Sequence, residues 1–188
     1  MSISEFKYFS NPIKNAEITD LKCQCCGADE NCLEGEYFDC GDNVVSVCFD
    51  CLSKGKVTVN VPNYIRNRLL GNLKGTGYVQ NENQAEERAE SLVDELSKNP
   101  PVPWIQYNDW PVCCCDFGRY LGEWGKEEIT EHAPDGNGKQ YIISILDDFS
   151  RSKIDNIDYF WEDIGRNTAV FVFECIHCSK SIAICQNY

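Results

Sequence analysis

The chain has 188 residues, of which 43% are hydrophobic and 12% aromatic, so its composition excludes a disordered chain and allows a substantial buried core. The net charge is −13 at pH 7, which repels the phosphates of nucleic acids and attracts basic proteins. Most of this charge lies in residues 81–188, which hold 20 acidic and 9 basic residues, against 10 and 8 in residues 1–80.

In chain order, the apolar pattern predicts an extended lead-in at 1–20, strands at 44–47 and 57–61, a short helix at 62–70 and a loop at 71–82. After the loop it predicts a helix at 83–98 capped by Asn83, a buried helix at 139–149, and strands at 168–174 and 181–185. The predicted fold class is α+β, with small zinc-knuckle and β-hairpin modules packed with several helices. The loop divides the chain into an N-terminal zinc-knuckle region, 1–80, and a helical region closed by a C-terminal β-hairpin, 81–188. The alternative is that both regions form one compact domain.

The cysteine content indicates metal ligation in the cytoplasm. The opening residues, MSISEFKYFSNP, lack the basic start and apolar run of a secretory signal, and no apolar run is long enough for a membrane span. We therefore expect a cytoplasmic protein that neither enters a membrane nor binds nucleic acid. Thirteen cysteines in that compartment favour metal over disulfides, because their number is odd and several form C-x-x-C pairs.

Two C-x-x-C pairs about twenty residues apart, Cys23/Cys26 and Cys48/Cys51, predict a structural Zn²⁺ site, because each pair can present two thiolates to one tetrahedral ion. Cys25 could replace either member of the first pair, although the spacing favours Cys23 with Cys26. The alternatives are reduced buried thiols, an iron–sulfur site or a redox C-x-x-C motif. Redox chemistry is disfavoured, because neither pair opens an obvious helix.

A second Zn²⁺ site is predicted from Cys175 and Cys178, which form half of a tetrahedral set. The other half must come from the triplet Cys113-Cys114-Cys115, about sixty residues earlier. Since adjacent residues of an extended chain point to opposite sides, a turn is needed for two of them to reach one ion. Without that turn, these residues are a cluster of buried thiols near the tryptophans. His177 is interpreted as a spacer within the pair.

Catalytic motifs are missing from the sequence: there is no H-E-x-x-H, G-x-S-x-G or P-loop, and neither histidine fits the zinc deaminase pattern. A site of four cysteines leaves no open position for water, which favours structure over catalysis. Asp116, Asp147 and Asp148 could be acids of a site, but a solvated face or a local helix cap is the simpler interpretation. The four tryptophans are expected in the core.

Several motifs together resemble the CbrC family of bacterial proteins, named for a role in colicin tolerance. These are the opening FKYFSNP, C-x-C-C-G, V-C-x-x-C, W-P-V-C-C-C-D and V-F-x-C-x-x-C, which occur in this order across nearly the whole chain. The resemblance implies a cytoplasmic metal-binding protein connected with defence against bacterial toxins. It also favours Cys113 and Cys114 over Cys115 as ligands. The region around 125–140 matches no part of that pattern.

The leading hypothesis is therefore a non-enzymatic, zinc-stabilised immunity or tolerance protein that neutralises a basic bacterial toxin, such as a nuclease, through an acidic surface. The alternative is an enzyme or regulator with a metal-linked site near Cys113–Asp116. Candidate partner-binding residues are Glu86, Glu87, Glu90, Asp147 and Asp148.

Overall fold

A computed structural model describes residues 5–34, 38–39 and 44–188 and confirms the α+β fold class. The strands are β1 (Ile18–Thr19), β2 (Cys32–Glu34), β3 (Phe38–Asp39), β4 (Ser46–Cys48), β5 (Thr58–Val59), β6 (Val112–Cys113), β7 (Asp116–Glu123), β8 (Thr168–Cys175) and β9 (Ser181–Asn187). The helices are α1 (Pro12–Asn15), α2 (Phe49–Ser53), α3 (Asn63–Gly75), α4 (Glu82–Ser97), α5 (Lys126–His132), α6 (Gly138–Ile145), α7 (Asp148–Ser152) and α8 (Ile157–Asp163).

The largest sheet is antiparallel, with strand order β6-β7-β8-β9. Its central strand β8 is buried at nearly every position, which explains the continuous apolar run in the sequence. The pairing of β8 with β9 runs from Thr168 opposite Asn187 to Glu174 opposite Ser181, so the predicted C-terminal hairpin is present. The pairing of β7 with β8 shifts between Tyr120 and Gly122, where a β-bulge interrupts the ladder.

Two smaller sheets surround the pairs Cys23/Cys26 and Cys48/Cys51. Strands β1, β2 and β4 form one antiparallel sheet, and β3 pairs with β5. Their apolar side chains form a cluster with Cys23, Cys48 and Cys51, in which Leu33 and Leu52 are completely buried. Cys23, Cys48 and Cys51 therefore lie inside this small core, whereas Cys26 is exposed.

Helices cover the large sheet in two groups. Helices α3 and α4 pack against each other, and their apolar faces share a core with Tyr8, Phe9 and the tryptophans Trp104 and Trp110. Helices α5, α6 and α8 share a second core with Trp124 and the other parts of β7 to β9. The expectation that the tryptophans lie in the core is thus confirmed for Trp104, Trp110 and Trp124, while Trp161 is partly buried against the second core.

Several predicted helix boundaries were wrong. The helix predicted to end at residue 70 continues to Gly75, because Leu73 is completely buried one turn after Leu69. Asn83 does not cap the next helix, since the Asn81 side chain accepts the backbone N–H of Gln84.

The helix predicted at 139–149 is interrupted at Leu146, which has extended backbone angles and bridges to Ala183. A separate helix, α7, then starts at Asp148. The lead-in predicted as extended also contains a short helix, α1, which starts at Pro12.

The predicted boundary at residue 80 falls between α3 and α4, which contact each other directly. The division into 1–80 and 81–188 remains a prediction. Within the described ranges, no helix has both the length and the apolar character that a bilayer crossing demands.

Candidate metal centres

The first cysteine pair lies in a tight knuckle. The backbone N–H of Gly27 donates to the carbonyl of Cys23 at 2.8 Å, and the N–H of Cys23 donates to the carbonyl of Ala28 at 2.7 Å. Gly27 has φ of 75°, a conformation that glycine adopts without steric cost. The Gln24 side chain joins the knuckle to β4 by accepting the backbone N–H groups of Val45 and Ser46. These bonds direct Cys23 and Cys26 toward the second pair.

The second pair is held at the start of α2. Cys48 ends β4 and forms the N-cap of α2, while Cys51 lies in its first turn. The expectation that neither pair opens a helix was therefore wrong for Cys48/Cys51, although this helix has only five residues.

All four sulfur atoms of Cys23, Cys26, Cys48 and Cys51 lie within 4.8 Å of one another, and those of Cys26 and Cys48 are 3.6 Å apart. Four thiolates on a tetrahedral Zn²⁺ would have S···S separations of about 3.8 Å, from Zn–S bonds of about 2.3 Å. This set can therefore hold a metal ion with little rearrangement.

The electrostatics of the first set favour a bound cation. Burial opposes ionisation of Cys23, but backbone N–H groups at Cys48, Cys25 and Cys26 outweigh it and lower its pKa to about 6. Burial, together with neighbouring thiols, raises the pKa of Cys48 and Cys51. Four adjacent thiols cannot all ionise unless a positive charge compensates them, which a divalent metal does.

The C-terminal pair lies in a knuckle with the same backbone hydrogen bonds. The N–H of Ser179 donates to the carbonyl of Cys175, and the N–H of Cys175 donates to the carbonyl of Lys180, both at 2.9 Å. Ser179 has φ of 56° and occupies the place that Gly27 has in the first knuckle. The knuckles at Cys23/Cys26 and Cys175/Cys178 thus have equivalent local structures, although only the Cys23/Cys26 knuckle contains the expected glycine.

A two-residue turn provides the other half of the second set. Cys113 and Asp116 are paired residues of β6 and β7, and Cys114 and Cys115 form the turn between them. Both turn residues have positive φ, 51° and 61°, as in the mirror-image turns that suit a twisted hairpin. Such turns usually contain asparagine and glycine, so two cysteines here carry a steric cost.

This turn brings Cys113 and Cys114 to one side, as the prediction required. The sulfur atom of Cys113 is 3.8 Å from those of both Cys114 and Cys178. The four sulfur atoms of Cys113, Cys114, Cys175 and Cys178 lie within 4.8 Å of one another, so this set can also hold a metal ion.

Four other cysteines lie outside both sets within the described residues: Cys25, Cys32, Cys115 and Cys185. The thiol of Cys32 is directed to the carbonyl of Ala28, at 3.4 Å. Cys115 is buried, with its sulfur atom 3.0 Å from the Thr76 hydroxyl. Cys40 lies outside the described residues.

A buried carboxylate stands beside the second set. Asp116 is 1% exposed, and its oxygens accept hydrogen bonds from the Tyr8 hydroxyl at 2.5 Å, Lys7 Nζ at 3.1 Å and the backbone N–H of Phe117 at 2.9 Å. His177 Nε2 lies 3.1 Å from Asp116 Oδ2. Burial opposes ionisation of Asp116, but these donors outweigh it and hold its pKa below the usual range. The expectation of a solvated face or a local cap was therefore wrong for Asp116.

Comparison with known protein families gives a match over nearly the whole chain. Residues 3–186 match the family described as "Uncharacterised protein family (UPF0167)". The chain belongs to this family. A UPF0167 protein of Pseudomonas aeruginosa is 28% identical over 101 residues, which cover 50% of this chain and 50% of that relative. No solved structure matches the chain.

The five acidic residues predicted to bind a partner lie in two separate places of this UPF0167 protein. Glu86, Glu87 and Glu90 are on α4, which packs against α3 and β7, whereas Asp147 and Asp148 are at the start of α7, which packs against β9. Strands β7 and β9 are on either side of β8, so the two helices that carry the five candidate residues pack against different parts of the sheet.

These acids also differ in their availability to a partner. Glu86 forms ion pairs with Arg66 and Lys74, and Glu90 approaches Arg66 at 3.5 Å. Asp147 is a local helix cap, as its side chain accepts the N–H of Ser150. Glu87 and Asp148 are exposed. Their role in binding remains a prediction.

Sequence reasoning missed two features beside the second cysteine set of this UPF0167 chain. His177 was interpreted as a spacer, but its ring contacts Asp116 and fixes the second knuckle to β7. The link from Asp116 to Lys7 and Tyr8 joins residues more than a hundred positions apart. The only sequence signal was the apolar pattern around Asp116, which places it at the start of a buried strand.

Proposed function

We propose that this protein holds two structural Zn²⁺ ions and acts by binding a basic protein in the cytoplasm. The observation that carries the first half is the presence of two sets of four cysteine sulfur atoms, each within 4.8 Å. Sulfur ligation selects soft metals, and four thiolates in a tetrahedral arrangement are typical of structural zinc or of iron–sulfur centres. Because each set supplies four protein ligands, neither leaves a position for water or substrate.

Zinc at the first set would stabilise residues that have little other support. Strands β1 to β5 contain two or three residues each, which is short for independent stability. Binding of structural zinc contributes on the order of 10–16 kcal/mol in small zinc domains. The apolar cluster around Leu33 and Leu52 is therefore expected to depend on the metal.

Metal analysis of the purified full chain tests this half. We expect two Zn²⁺ per chain, and the variants C48S and C178S should each lose one. C25S is the matched control, because Cys25 is an exposed neighbour of Cys26 outside the set, and it should retain both ions. Soluble, unmodified protein without zinc would contradict the proposal. Iron in the purified protein, together with visible absorption, would show that the sets hold iron–sulfur centres instead of zinc.

The second half of the proposal concerns the partner. A net charge of −13 favours a basic partner, since opposite charges accelerate association and reject acidic competitors. The resemblance to the CbrC family motivates the finer proposal, which is tolerance of a basic toxin such as a nuclease. Nucleases need positive charge to hold phosphates, so an acidic protein can occlude that surface.

Charge reversal at exposed positions tests this binding. E87K and D148K change exposed acids on α4 and α7, and they should slow association with the captured partner without altering the fold. K180E is a control of opposite sign and should leave association unchanged or faster. Binding should also weaken as salt increases, because exposed charges are screened beyond about 8 Å at physiological ionic strength. The proposal would be contradicted if no basic protein is captured at low salt, or if the charge-reversed variants associate as fast as the unmodified protein.

One observation favours the alternative of an enzyme or regulator. His177, held by Asp116, lines an open cleft of about 350 Å³ together with Thr76, Tyr78, Cys114 and Cys115. H177Q should leave partner binding intact if the protein acts only by occlusion. Loss of cellular protection by H177Q, with zinc content and partner affinity unchanged, would favour chemistry at this cleft.

A further inference from the structure

The two cysteine sets differ in their access to solvent. In the first set Cys26 is exposed, but Cys23, Cys48 and Cys51 are buried. In the second set Cys114 and Cys178 are both exposed, Cys113 is partly buried, and Cys175 is buried. A small reagent therefore reaches the second set more easily than the first.

A cleft leads to this exposed side. It has a volume of about 350 Å³, and Cys114 and His177 form part of its wall. Such a volume far exceeds what hydrogen peroxide needs, and it also accommodates a small organic hydroperoxide. Thiolates at accessible positions are the cysteines that react with oxidants. The cleft gives a small oxidant access to the set beside Cys114, and Cys178 is itself exposed to solvent.

We propose that the second cysteine set is a reversible oxidation site for hydroperoxides. Cys178 is the attacking residue and Cys113 is the resolving residue. This inference rests on the proposed occupancy of the set by a metal ion. The sulfur of Cys178 attacks one peroxide oxygen, the O–O bond breaks, and the departing hydroxide takes a proton to become water. Cys113 then attacks the resulting sulfenic acid. An S–S bond forms, the S–O bond breaks, and a second water leaves.

The balance is two thiolates, one hydrogen peroxide and two protons converted into one disulfide and two waters. The thiolates lose two electrons, and the peroxide gains them. The set then retains only two of its four ligands, so its metal affinity collapses.

We assign the disulfide to Cys113 and Cys178 because their sulfur atoms are already close and come from separate segments of the chain. Their sulfur atoms are 3.8 Å apart, so they must approach by about 1.8 Å to reach a disulfide length of about 2.05 Å. Cys114 is equally close to Cys113. However, consecutive Cα atoms are about 3.8 Å apart, which is shorter than the 4.4–6.8 Å or so that disulfides normally span.

Oxidation would also affect the lead-in segment. His177 lies between Cys175 and Cys178 in the knuckle and contacts Asp116, which in turn holds Lys7 and Tyr8. Rearrangement of the knuckle therefore reaches the bonds that attach the lead-in to β7.

The test uses the zinc-loaded full chain, hydrogen peroxide and a chromogenic zinc chelator. One Zn²⁺ per chain should be released at least about tenfold faster than the other, because access controls thiolate oxidation. Peptide mapping at that stage should find a Cys113–Cys178 disulfide, and reductant with added Zn²⁺ should restore the original metal content. C25S, which removes an exposed cysteine outside both sets, should give the same release rate.

Zinc content before the oxidant is added separates the two proposals. Fewer than two Zn²⁺ at the start would contradict the proposed function. Two Zn²⁺ that leave at equal rates, earlier release from residues 23–51, or a disulfide between any other pair would overturn the oxidation site and leave the metal assignment intact.

Discussion

Replacing Tyr8 by phenylalanine removes a single hydroxyl from the link between the lead-in and the second cysteine set. Tyr8 is completely buried, and its hydroxyl donates to Asp116 Oδ1 at 2.5 Å and accepts from Lys7 Nζ at 2.7 Å. Burial, reinforced by this carboxylate, raises the pKa of Tyr8 above the usual tyrosine range, so the phenol stays protonated and acts as a donor. In Y8F, Asp116 keeps Lys7, His177 and the N–H of Phe117.

The expected cost follows mainly from the lost bond to the buried Asp116, because Lys7 Nζ is partly exposed and keeps its contact with that carboxylate. A hydrogen bond to a charged group contributes about 1.5–3 kcal/mol, and the buried ring itself is retained. For a chain of this length, the melting temperature should therefore fall by about 3–12 °C. Y159F is the matched control, because Tyr159 is 76% exposed, and it should change stability by less than about 0.5 kcal/mol.

A double-mutant cycle assigns the effect to the pair. Y8F, D116N and the double variant are unfolded by denaturant at equal zinc content, which is measured for each sample. The coupling energy should be about 1.5–3 kcal/mol, because the two side chains contact each other directly. A coupling energy below about 0.5 kcal/mol, or an equal loss of stability in Y159F, would refute the role given to this bond.

Three further changes test the packing. G71A should stabilise the protein by about 0.5–1 kcal/mol in denaturant unfolding, because a Cβ at this position in α3 has nothing within 4 Å. G138A should destabilise it by about 1–3 kcal/mol in the same assay, because the new Cβ would lie 2.5 Å from Thr130 Oγ1 and 2.8 Å from Trp161 Cη2; equal effects of the two glycine variants would contradict this packing. N81A should cost about 1 kcal/mol, read from thermal unfolding, since it removes the N-cap of α4, and an unchanged melting temperature would show that the cap contributes nothing.

The cysteine sets were predictable because ligand spacing is local. A C-x-x-C pair places two sulfur atoms together wherever it occurs, so the six cysteines of the three pairs followed from spacing alone. Spacing left Cys113, Cys114 and Cys115 open; the resemblance to the CbrC family favoured Cys113 and Cys114, which the structure places with Cys175 and Cys178. The hairpin at β8 and β9 and the helix α4 were predictable for a similar reason, as both have strong apolar periodicity.

Features that depend on distant residues were not predictable. The positive φ of Cys114 and Cys115 has no signal in their side chains, since turns of this kind usually contain asparagine or glycine. Asp116 looked like a solvent-exposed acid, because its partners Tyr8 and His177 are 108 and 61 positions away. The end of α3 was missed because Leu73 is buried by residues that only the folded chain brings near.

The separation of the cysteine sets along the chain has a consequence for synthesis on the ribosome. The first set spans only residues 23–51 and can close soon after it emerges, whereas Cys113 must wait for Cys175, which follows 62 positions later. At about 5–20 residues per second, that interval lasts roughly 3–12 s. During it, Cys113, Cys114 and Cys115 are exposed together on a nascent chain, so a competing thiol can reach them before Cys175 and Cys178 are synthesised.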